Sequence, residues 1–357
     1  MILSNTSGNR MYKEKNSILI CGAFDFNGMS TGGQPVKTRE LYKALKNSIG
    51  EENIIYVDTV GWKKHPVSMI RDFFGKASKA RDIIMLPAHK GVTVFSRLLV
   101  CAKRFFKCKI FYDVVGGWLP NKLKTDRDLL KQLKKFDGIW VETTVMDMAL
   151  KQLGLSNTKV HSNFKELRPI ETSDILIRSS DCLSLCIFSR VTEKKGVGYA
   201  IDAVNEVNAF GGEKIKLDIY GPIDEEFSDE FKNKIKNSLT IRYCGIVNPE
   251  KSVETLRKYD ALLFPTLFRT EGLPGTIIDA YAAGLPIISS KWESFNDIVE
   301  DKKTGIGYNF GDYESLVKTL EWAVFHRETL DKMRGNCIRK ASEFLPETVM
   351  SELLEVL

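Results

Sequence analysis

The sequence predicts an α/β protein built from two doubly wound parallel sheets. Short apolar runs alternate with longer amphipathic segments along most of the chain, which is the pattern of strands and helices in parallel sheets. The chain has 357 residues, more than the ~250–300 at which a single core stops growing, so two domains are expected. A charged segment without periodicity, residues 165–174, interrupts the alternation and is the predicted linker.

The first half contains six predicted strands and five predicted helices. Each strand is a short run of mostly apolar residues, and each helix is a longer segment with apolar positions at helical spacing. The strands are SILICG, IIYV, DIIML, KIFYD, GIWVE and KVHSN, and the helices lie near residues 36–48, 66–80, 95–106, 121–136 and 146–153. Residues 1–16 are polar and are expected to be disordered. Residues 1–165 are therefore assigned to the first domain.

The second half repeats the same alternation. Its predicted strands are LSLCIF, KLDIYG, IRYCG, ALLF and IIS, and its helices lie near residues 197–209, 225–237, 252–259 and 274–284. Residues 314–357 are predicted to be helical with a break at Pro346, because proline cannot continue a helix. We assign residues 166–345 to the second domain and residues 346–357 to a separate C-terminal helix.

One βαβ unit, residues 260–290, has a chemically distinctive loop. Its first strand ends at Pro265, and its helix opens at Pro274 and Gly275, where proline fits a first helical turn. The loop carries Glu271, eight positions before Asp279 on the helix. Free N–H groups at a helix start favour an anion such as a diphosphate, and carboxylates accept hydrogen bonds from sugar hydroxyls. The pattern is therefore typical of a nucleotide-sugar site.

A basic turn follows the first strand of the second domain. Arg190 and Lys195 are five residues apart, and Gly196 opens the next helix. The carboxyl end of a strand is where α/β folds bind ligands. Arginine offers a fork that fits phosphate oxygens, and lysine a mobile point charge. A solvated surface turn is the alternative for this stretch alone, but together with the Glu271 loop it favours a diphosphate site.

The acidic loop and the basic turn resemble the signature of family-4 retaining glycosyltransferases, which have the two-domain GT-B fold. In that family a Glu, seven intervening residues and a second Glu flank the helix start, and an Arg…Lys-Gly element holds the donor diphosphate. Here Glu271 is the first acid, Asp279 stands at the second position, and Arg190 and Lys195 match the basic element. The resemblance is densest over residues 189–196 and 264–290.

The resemblance implies transfer of a sugar from a nucleotide diphosphate sugar to an acceptor hydroxyl, with retained anomeric configuration and no metal ion or other cofactor. It implies Glu271, Arg190 and Lys195 as catalytic residues. UDP-sugars are the first expectation for the donor and GDP-sugars the second. The resemblance also implies that the C-terminal helix crosses back to the first domain. The remaining implied donor contacts are Gly32, Gly33, Leu273, Pro274, Gly275, Thr276 and Asp279, of which Asp279 would bind the ribose.

Acceptor-side candidates come from two other strand ends. Gly116, Gly117 and Trp118 follow the strand KIFYD, and His89 follows DIIML. Asp113, which ends KIFYD, is interpreted as structural. The stretches GGWLP and EGLPGTIIDAYAAGLP resemble enzymes of bacterial surface-polysaccharide assembly, which implies a lipid-linked or oligosaccharide acceptor.

Composition limits the partners and the compartment. The net charge of +6 is too small to indicate nucleic-acid binding. The seven cysteines form no CxxC pair, so neither a disulfide framework nor a zinc site is expected. The polar N-terminal stretch lacks an apolar signal region, and no apolar run reaches the length of a membrane span. We expect a cytoplasmic protein.

Residues 97–109, RLLVCAKRFFKCK, interleave apolar and basic side chains. On a helix this arrangement could lie against an anionic membrane face, although packing of the apolar side on the sheet explains it equally well.

Three other functions remain open on the sequence alone. Another GT-B enzyme, such as a nucleotide-sugar epimerase or a phosphorylase, would share the donor motifs. A non-catalytic sugar-binding protein would share the two domains, but the presence of both acids and both cations argues against it. A nicotinamide dehydrogenase is less favoured because the G-x-G-x-x-G fingerprint is absent after the first strand.

Overall fold

The structure, a computed structural model, describes residues 17–26, 32–89, 91–177, 181–209 and 212–357. The predicted disordered segment 1–16 and residues 27–31 of the glycine-rich loop lie outside these ranges. None of the helices within them combines the length and the apolarity needed to cross a bilayer.

Two six-stranded sheets form the frame of the molecule, and every strand pair in them is parallel. The strands of the first sheet are β1 (Ser17–Gly22), β2 (Ile54–Asp58), β3 (Ala80–Met85), β4 (Lys109–Asp113), β5 (Gly138–Val141) and β6 (Thr158–Val160). Those of the second are β7 (Leu183–Phe188), β8 (Ile215–Tyr220), β9 (Ile241–Tyr243), β10 (Ala261–Phe264), β11 (Ile287–Ser290) and β12 (Gly305–Tyr308).

Helices cover both faces of each sheet. Those of the first unit are α1 (Gly33–Ile49), α2 (Pro66–Ala77), α3 (Val92–Phe106), α4 (Leu119–Thr125), α5 (Arg127–Leu133) and α6 (Thr144–Gln152). Those of the second are α7 (Val197–Ala209), α8 (Ser228–Ile235), α9 (Ser252–Leu256), α10 (Gly275–Ala282), α11 (Phe295–Ile298), α12 (Tyr313–Phe325), α13 (Arg327–Ala341) and α14 (Pro346–Leu354). Separate apolar clusters lie on the two sides of each sheet, so the doubly wound α/β prediction is confirmed.

The strand orders place a crevice at one position in each sheet. The first sheet has the order β2-β1-β3-β4-β5-β6 and the second β12-β11-β10-β7-β8-β9. The direction of winding reverses between β1 and β3 in the first sheet and between β7 and β10 in the second. Ligands of open α/β sheets bind outside the carboxyl ends of the strands at such reversals.

Several elements differ from the sequence prediction. The helix expected over residues 121–136 is two helices, because Asp126 caps α5 by accepting a hydrogen bond from Leu129 N at 2.9 Å. A further break at His326 separates α12 from α13. Strand β12 was not predicted, since two of its four residues are Gly305 and Gly307 and supply no apolar side chain.

The C-terminal helix α14 packs on the first sheet unit. Val349, Met350 and Leu353 are buried in one apolar cluster with residues of β1 and α1. Lys159 and Glu352 form an ion pair at 3.1 Å between β6 and α14. The chain thus crosses from the first unit to the second between residues 161 and 177 and crosses back at α14.

His161, just after β6, is buried between aromatic side chains and gives the fold an acid-sensitive point. Burial lowers the pKa of its imidazole from 6.5 to about 3, so the ring is neutral in the folded protein. As the pH falls below 6.5, the unfolded chain binds a proton that the folded chain does not, and stability is lost. Between pH 7 and pH 5 the expected loss is about 2 kcal/mol.

Urea unfolding of wild type and His161→Phe at these two pH values measures this loss. Phenylalanine fits the aromatic surroundings of Trp140 and Phe164, and the variant should lose less stability on acidification by about 2 kcal/mol. Equal losses in the two proteins would contradict the assignment.

Candidate active site

The predicted donor residues lie on both sides of the reversal in the second sheet. Arg190 and Lys195 follow β7, and Glu271 follows β10, the strand paired with β7. The two loops touch, since Leu267 N donates to Lys194 O at 2.9 Å. Topology therefore brings together two motifs that are about eighty residues apart in the sequence.

Lys195 and Glu271 form an ion pair. Lys195 Nζ lies 2.6 Å from Glu271 Oε2, and both side chains are partly exposed. Thr266 Oγ1 also donates to Glu271 Oε2 at 3.4 Å. The ammonium group additionally lies 5.5 Å from the centre of the Phe264 ring. The pair places one positive and one negative group at the mouth of the crevice.

Gly196 explains how the basic turn reaches this position. Residues Glu193–Lys195 form a 3₁₀ turn capped by Thr192, whose hydroxyl accepts from Lys195 N. Gly196 has φ +70°, and a Cβ there would overlap Pro265 O at the end of β10. Only glycine permits both the left-handed conformation and this close approach. The glycine after Lys195 is thus a packing requirement of the site.

The first turn of α10 faces the same loops and lacks a side-chain cap. Pro274 is its N-cap residue and provides no capping group, and the helix begins at Gly275, which agrees with the predicted start at Pro274–Gly275. Thr276 Oγ1 is buried and has no hydrogen-bond partner within the described part of the chain. A buried hydroxyl without a partner at an uncapped helix start is suited to bind a polar ligand.

Two other predicted donor-binding residues form an ion pair or a hydrogen bond with other residues of the protein. Asp279 is buried and forms an ion pair with Lys165 at 2.5 Å. Leu273 N donates to Glu142 Oε2 at 3.0 Å. Arg190, by contrast, has an exposed side chain just after β7.

The acceptor-side candidates lie together at the carboxyl edge of the first sheet. The His89 ring stacks on Trp118 with centroids 4.1 Å apart. Partial burial and then the nearby charge of Lys122 lower the pKa of His89, which favours the neutral imidazole. Gly117 N donates to Thr270 O at 3.2 Å, next to Glu271, and Gly116 has φ +75°. The β4–α4 loop, residues 114–118, thus contacts the β10–α10 loop, residues 265–274. These two are called the acceptor-side loop and the donor-side loop after their predicted roles.

The glycine pair of the first domain lies at the start of α1. Gly32 is the N-cap residue and Gly33 the first residue of the helix, earlier than the predicted start at residue 36. A Cβ on Gly33 would lie 3.8 Å from Val115 in the β4–α4 loop. The pair therefore stands beside the acceptor-side loop, at the reversal of the first sheet.

Lys37, Asp113 and Glu142 form a buried charge cluster that was not predicted, although Asp113 was interpreted as structural. Lys37 Nζ lies 2.6 Å from Asp113 Oδ1 and 3.3 Å from Glu142 Oε1, with all three side chains buried. It also donates to Val114 O at 3.0 Å. Burial alone would lower the pKa of Lys37, but the two carboxylates raise it. Burial raises the pKa of both acids.

A sequence signal for this cluster existed. Asp113 and Glu142 stand at the carboxyl ends of the adjacent strands β4 and β5, so parallel pairing brings them together. Lys37 could not be assigned as their partner, because the sequence does not say which side of α1 faces the sheet.

Comparison with known families agrees with the resemblance seen in the sequence. Residues 183–324 match the profile of the family described as Glycosyl transferases group 1. The match covers the region of Arg190, Lys195 and Glu271, and it confirms the predicted resemblance to glycosyltransferases.

Individual relatives align over part of their length. The amylovoran biosynthesis glycosyltransferase AmsK of Erwinia amylovora is 27% identical over 143 residues, which are 39% of this chain and 35% of that protein. The alpha-monoglucosyldiacylglycerol synthase of Streptococcus pneumoniae is 24% identical over 214 residues, which are 59% of this chain and 45% of that protein. The chain therefore aligns with less than half of the length of either relative.

Solved structures confirm the fold. HepE of Anabaena in complex with UDP superposes with a TM-score of 0.75 at 16% identity, over 96% of this chain and 100% of that one. The protein has the GT-B fold, with two Rossmann-like units.

Proposed function

We propose that this protein is a retaining glycosyltransferase that moves a sugar from a nucleotide diphosphate sugar to an acceptor hydroxyl. The observation that carries the proposal is the Lys195–Glu271 pair at 2.6 Å, located beside the uncapped start of α10 and at the reversal of the second sheet. A site of this kind offers a cation and helix N–H groups to a diphosphate and a carboxylate to sugar hydroxyls.

The donor would bind with its diphosphate at Arg190 and Lys195. In the structure Glu271 pairs with Lys195, and donor binding would exchange this contact for one with phosphate oxygens. Glu271 is then free to accept hydrogen bonds from the sugar. Gly275 N, Thr276 N and the Thr276 hydroxyl face the sugar and phosphates, and the backbone at Gly32 and Gly33 approaches the phosphates from the other domain.

Asp279 is proposed to contact the ribose, which requires it to share its carboxylate with Lys165. The aspartate is one methylene shorter than the glutamate typical of this position. Lys165 Nζ lies 2.5 Å from one of its oxygens, so the second oxygen is the one proposed for the ribose hydroxyl.

The chemistry follows from where charge develops. Breaking the glycosidic bond places additional negative charge on the departing diphosphate, and Arg190 and Lys195 would stabilise it without a metal ion. Retention follows from attack on the face from which the phosphate leaves, with a phosphate oxygen taking the acceptor's proton. Contacts between the two domains would exclude water and so limit hydrolysis of the donor.

The acceptor is proposed to be a lipid-linked or oligosaccharide hydroxyl in bacterial surface-polysaccharide assembly. The amylovoran enzyme is named for a polysaccharide and the pneumococcal one for a glycolipid, which supports this class of acceptor. His89, Gly116, Gly117 and Trp118 would line the acceptor side. UDP-sugars are the preferred donors of the proposal because HepE was solved with UDP.

The test is product analysis with defined donors. The protein is incubated with UDP- or GDP-sugars and short lipid-linked oligosaccharides, with and without EDTA, and both nucleotide release and the anomeric configuration of the product are measured. The proposal predicts acceptor-dependent release, unaffected by EDTA, and a product with the donor's configuration. Nucleotide release with an altered free sugar and no acceptor dependence would indicate an epimerase instead.

Contact with an anionic membrane surface is a further part of the proposal. Most of the apolar side of α3 packs on the sheet, since Leu99 and Ala102 are fully buried, but Phe105 is 69% exposed. Arg104 and Lys107 beside it are also exposed. An exposed aromatic side chain flanked by cations is typical of interfacial binding.

Liposome co-sedimentation tests this contact. Vesicles with anionic lipid should bind the protein, and the double variant Arg104→Gln/Lys107→Gln should bind about thirtyfold more weakly, since each basic residue contributes about 1 kcal/mol near such a surface. The control is Lys302→Gln/Lys303→Gln, which removes two exposed cations from the second sheet unit. Equal weakening in both double variants, or none in either, would remove α3 from the proposal.

A further inference from the structure

Glu142 connects the two halves of the cleft through one carboxylate. Its Oε2 accepts a hydrogen bond from Gly116 N at 3.2 Å and another from Leu273 N at 3.0 Å. Gly116 belongs to the acceptor-side loop and Leu273 to the donor-side loop. Its other oxygen accepts from Lys37 at 3.3 Å. One carboxylate oxygen of Glu142 is therefore held by Lys37, and the other joins the two loops.

The loops are shaped for this contact. A Cβ on Gly272 would overlap Glu142 Oε2 and would lie 2.9 Å from Gly116 Cα. A Cβ on Gly117 would lie 2.7 Å from Thr270 O. Gly272 has no positive φ, so its backbone would accept alanine. Glycine is needed there for the approach of Glu142 rather than for its own conformation.

We propose that Glu142 is a positioning residue of the transfer reaction, which holds the donor-side loop against the acceptor-side loop when the cleft is closed. The inference rests on the proposed function for the reaction that it serves, while the closure itself depends only on the contacts described. Glu142 accepts hydrogen bonds from Gly116 N and Leu273 N. The residues that would bind the acceptor and the donor lie next to these two N–H groups. Fixing those N–H groups on a single oxygen therefore sets the distance between the two substrate sites.

A carboxylate is the group that this position requires. All three contacts of Glu142 come from donors, namely two backbone N–H groups and the Lys37 ammonium. Glutamine has the same shape but presents one acceptor and one donor. In Glu142→Gln the amide nitrogen must therefore face either Lys37 or the two loops, and one side of the connection is lost.

The first measurement needs no substrate. Small-angle scattering of the ligand-free protein should show a larger radius of gyration for Glu142→Gln and for Gly272→Ala than for wild type, because each change breaks the same contact from a different domain. Asp147→Asn is the matched control. Asp147 is another buried carboxylate, and it accepts hydrogen bonds from Thr158 and Lys151 within the first sheet unit. Its replacement should leave the radius unchanged.

The second measurement separates positioning from binding. Both variants should bind UDP with unchanged affinity, because Arg190, Lys195 and Glu271 are intact, while kcat for transfer from the active UDP-sugar falls by about a hundredfold through misplacement of the reacting groups. The double variant Glu142→Gln/Gly272→Ala should be no worse than either single one, since residues acting through one contact are not additive.

The possible outcomes separate the role of Glu142 from the proposed function of the protein. An unchanged radius in both variants, or additive losses of kcat in the double variant, would overturn the role of Glu142. A melting temperature lowered to that of Asp147→Asn with unchanged kcat would show a structural role only and would also overturn it. Absence of UDP binding and of transfer in wild type would instead overturn the proposed function, and the scattering result would still decide whether Glu142 holds the loops together.

Discussion

Replacing Lys195 with alanine is expected to lower the rate of sugar transfer by up to about a thousandfold. The departing nucleotide gains about one negative charge, and a cation at ~4 Å stabilises it by about 4 kcal/mol at an effective dielectric of 20, which is an upper figure. In the structure the ammonium group pairs with Glu271 at 2.6 Å, and donor binding would exchange this contact for one with the phosphate. Measurement of kcat gives the loss of rate, and measurement of the UDP dissociation constant gives the loss of binding.

Lys194→Ala is the matched control for this prediction. Lys194 is the neighbouring residue of the same 3₁₀ turn and its side chain is exposed. Its replacement removes an equal charge from the same turn but should leave the rate unchanged. If the two variants behaved alike, Lys195 would have no special role at the diphosphate.

Replacing Lys37 with methionine is expected to destabilise the fold by about 3–5 kcal/mol, because breaking a buried ion pair leaves an uncompensated charge. Lys37 holds both Asp113 and Glu142 in the interior, and without it two carboxylates face each other away from water. Urea unfolding of the variant and wild type gives the difference. Adding Asp113→Asn to the variant should restore part of the stability by removing one of the two charges.

Lys151→Met is the comparison for Lys37→Met. Lys151 also pairs with an aspartate, Asp147 at 2.7 Å, but its side chain is 52% exposed, and exposed pairs contribute about 0–1 kcal/mol. A loss for Lys37→Met no larger than that for Lys151→Met would contradict a stabilising role of the buried cluster.

Much of the fold was predictable from periodicity because the strands of a parallel sheet are apolar on both faces. Runs such as SILICG and LSLCIF predict strands β1 and β7 without knowledge of their partners. Strand β12 could not be predicted in this way, because its glycines are required by close packing. A Cβ on Gly307 would overlap Lys291 and lie 2.6 Å from Phe295. Such a constraint belongs to the assembled structure and leaves no periodic trace.

The predicted site residues were likewise those with a local sequence pattern, and the residue that was not predicted depends on a long-range contact. Arg190, Lys195 and Glu271 were predicted as site residues because each lies in a loop whose residue types indicate phosphate or sugar binding. Glu142 was not found, because a single acid at a strand end has no local pattern. Its meaning depends on Leu273, which is 131 residues away in the sequence and in the other domain. Contacts across the cleft are set by how the two sheets face each other, which the alternation of elements does not specify.

Ligand-dependent melting tests whether the protein has the proposed nucleotide diphosphate site. The protein is melted with UDP, GDP, ADP or CMP, each with and without EDTA, and the series is repeated with Lys195→Ala. Binding to the native state alone raises the melting temperature according to the excess of ligand over its dissociation constant. We expect UDP to raise the melting temperature of the wild type equally with and without EDTA, and to leave that of Lys195→Ala unchanged. No rise with any of the nucleotides would contradict the nucleotide diphosphate site, and with it the proposed glycosyl transfer.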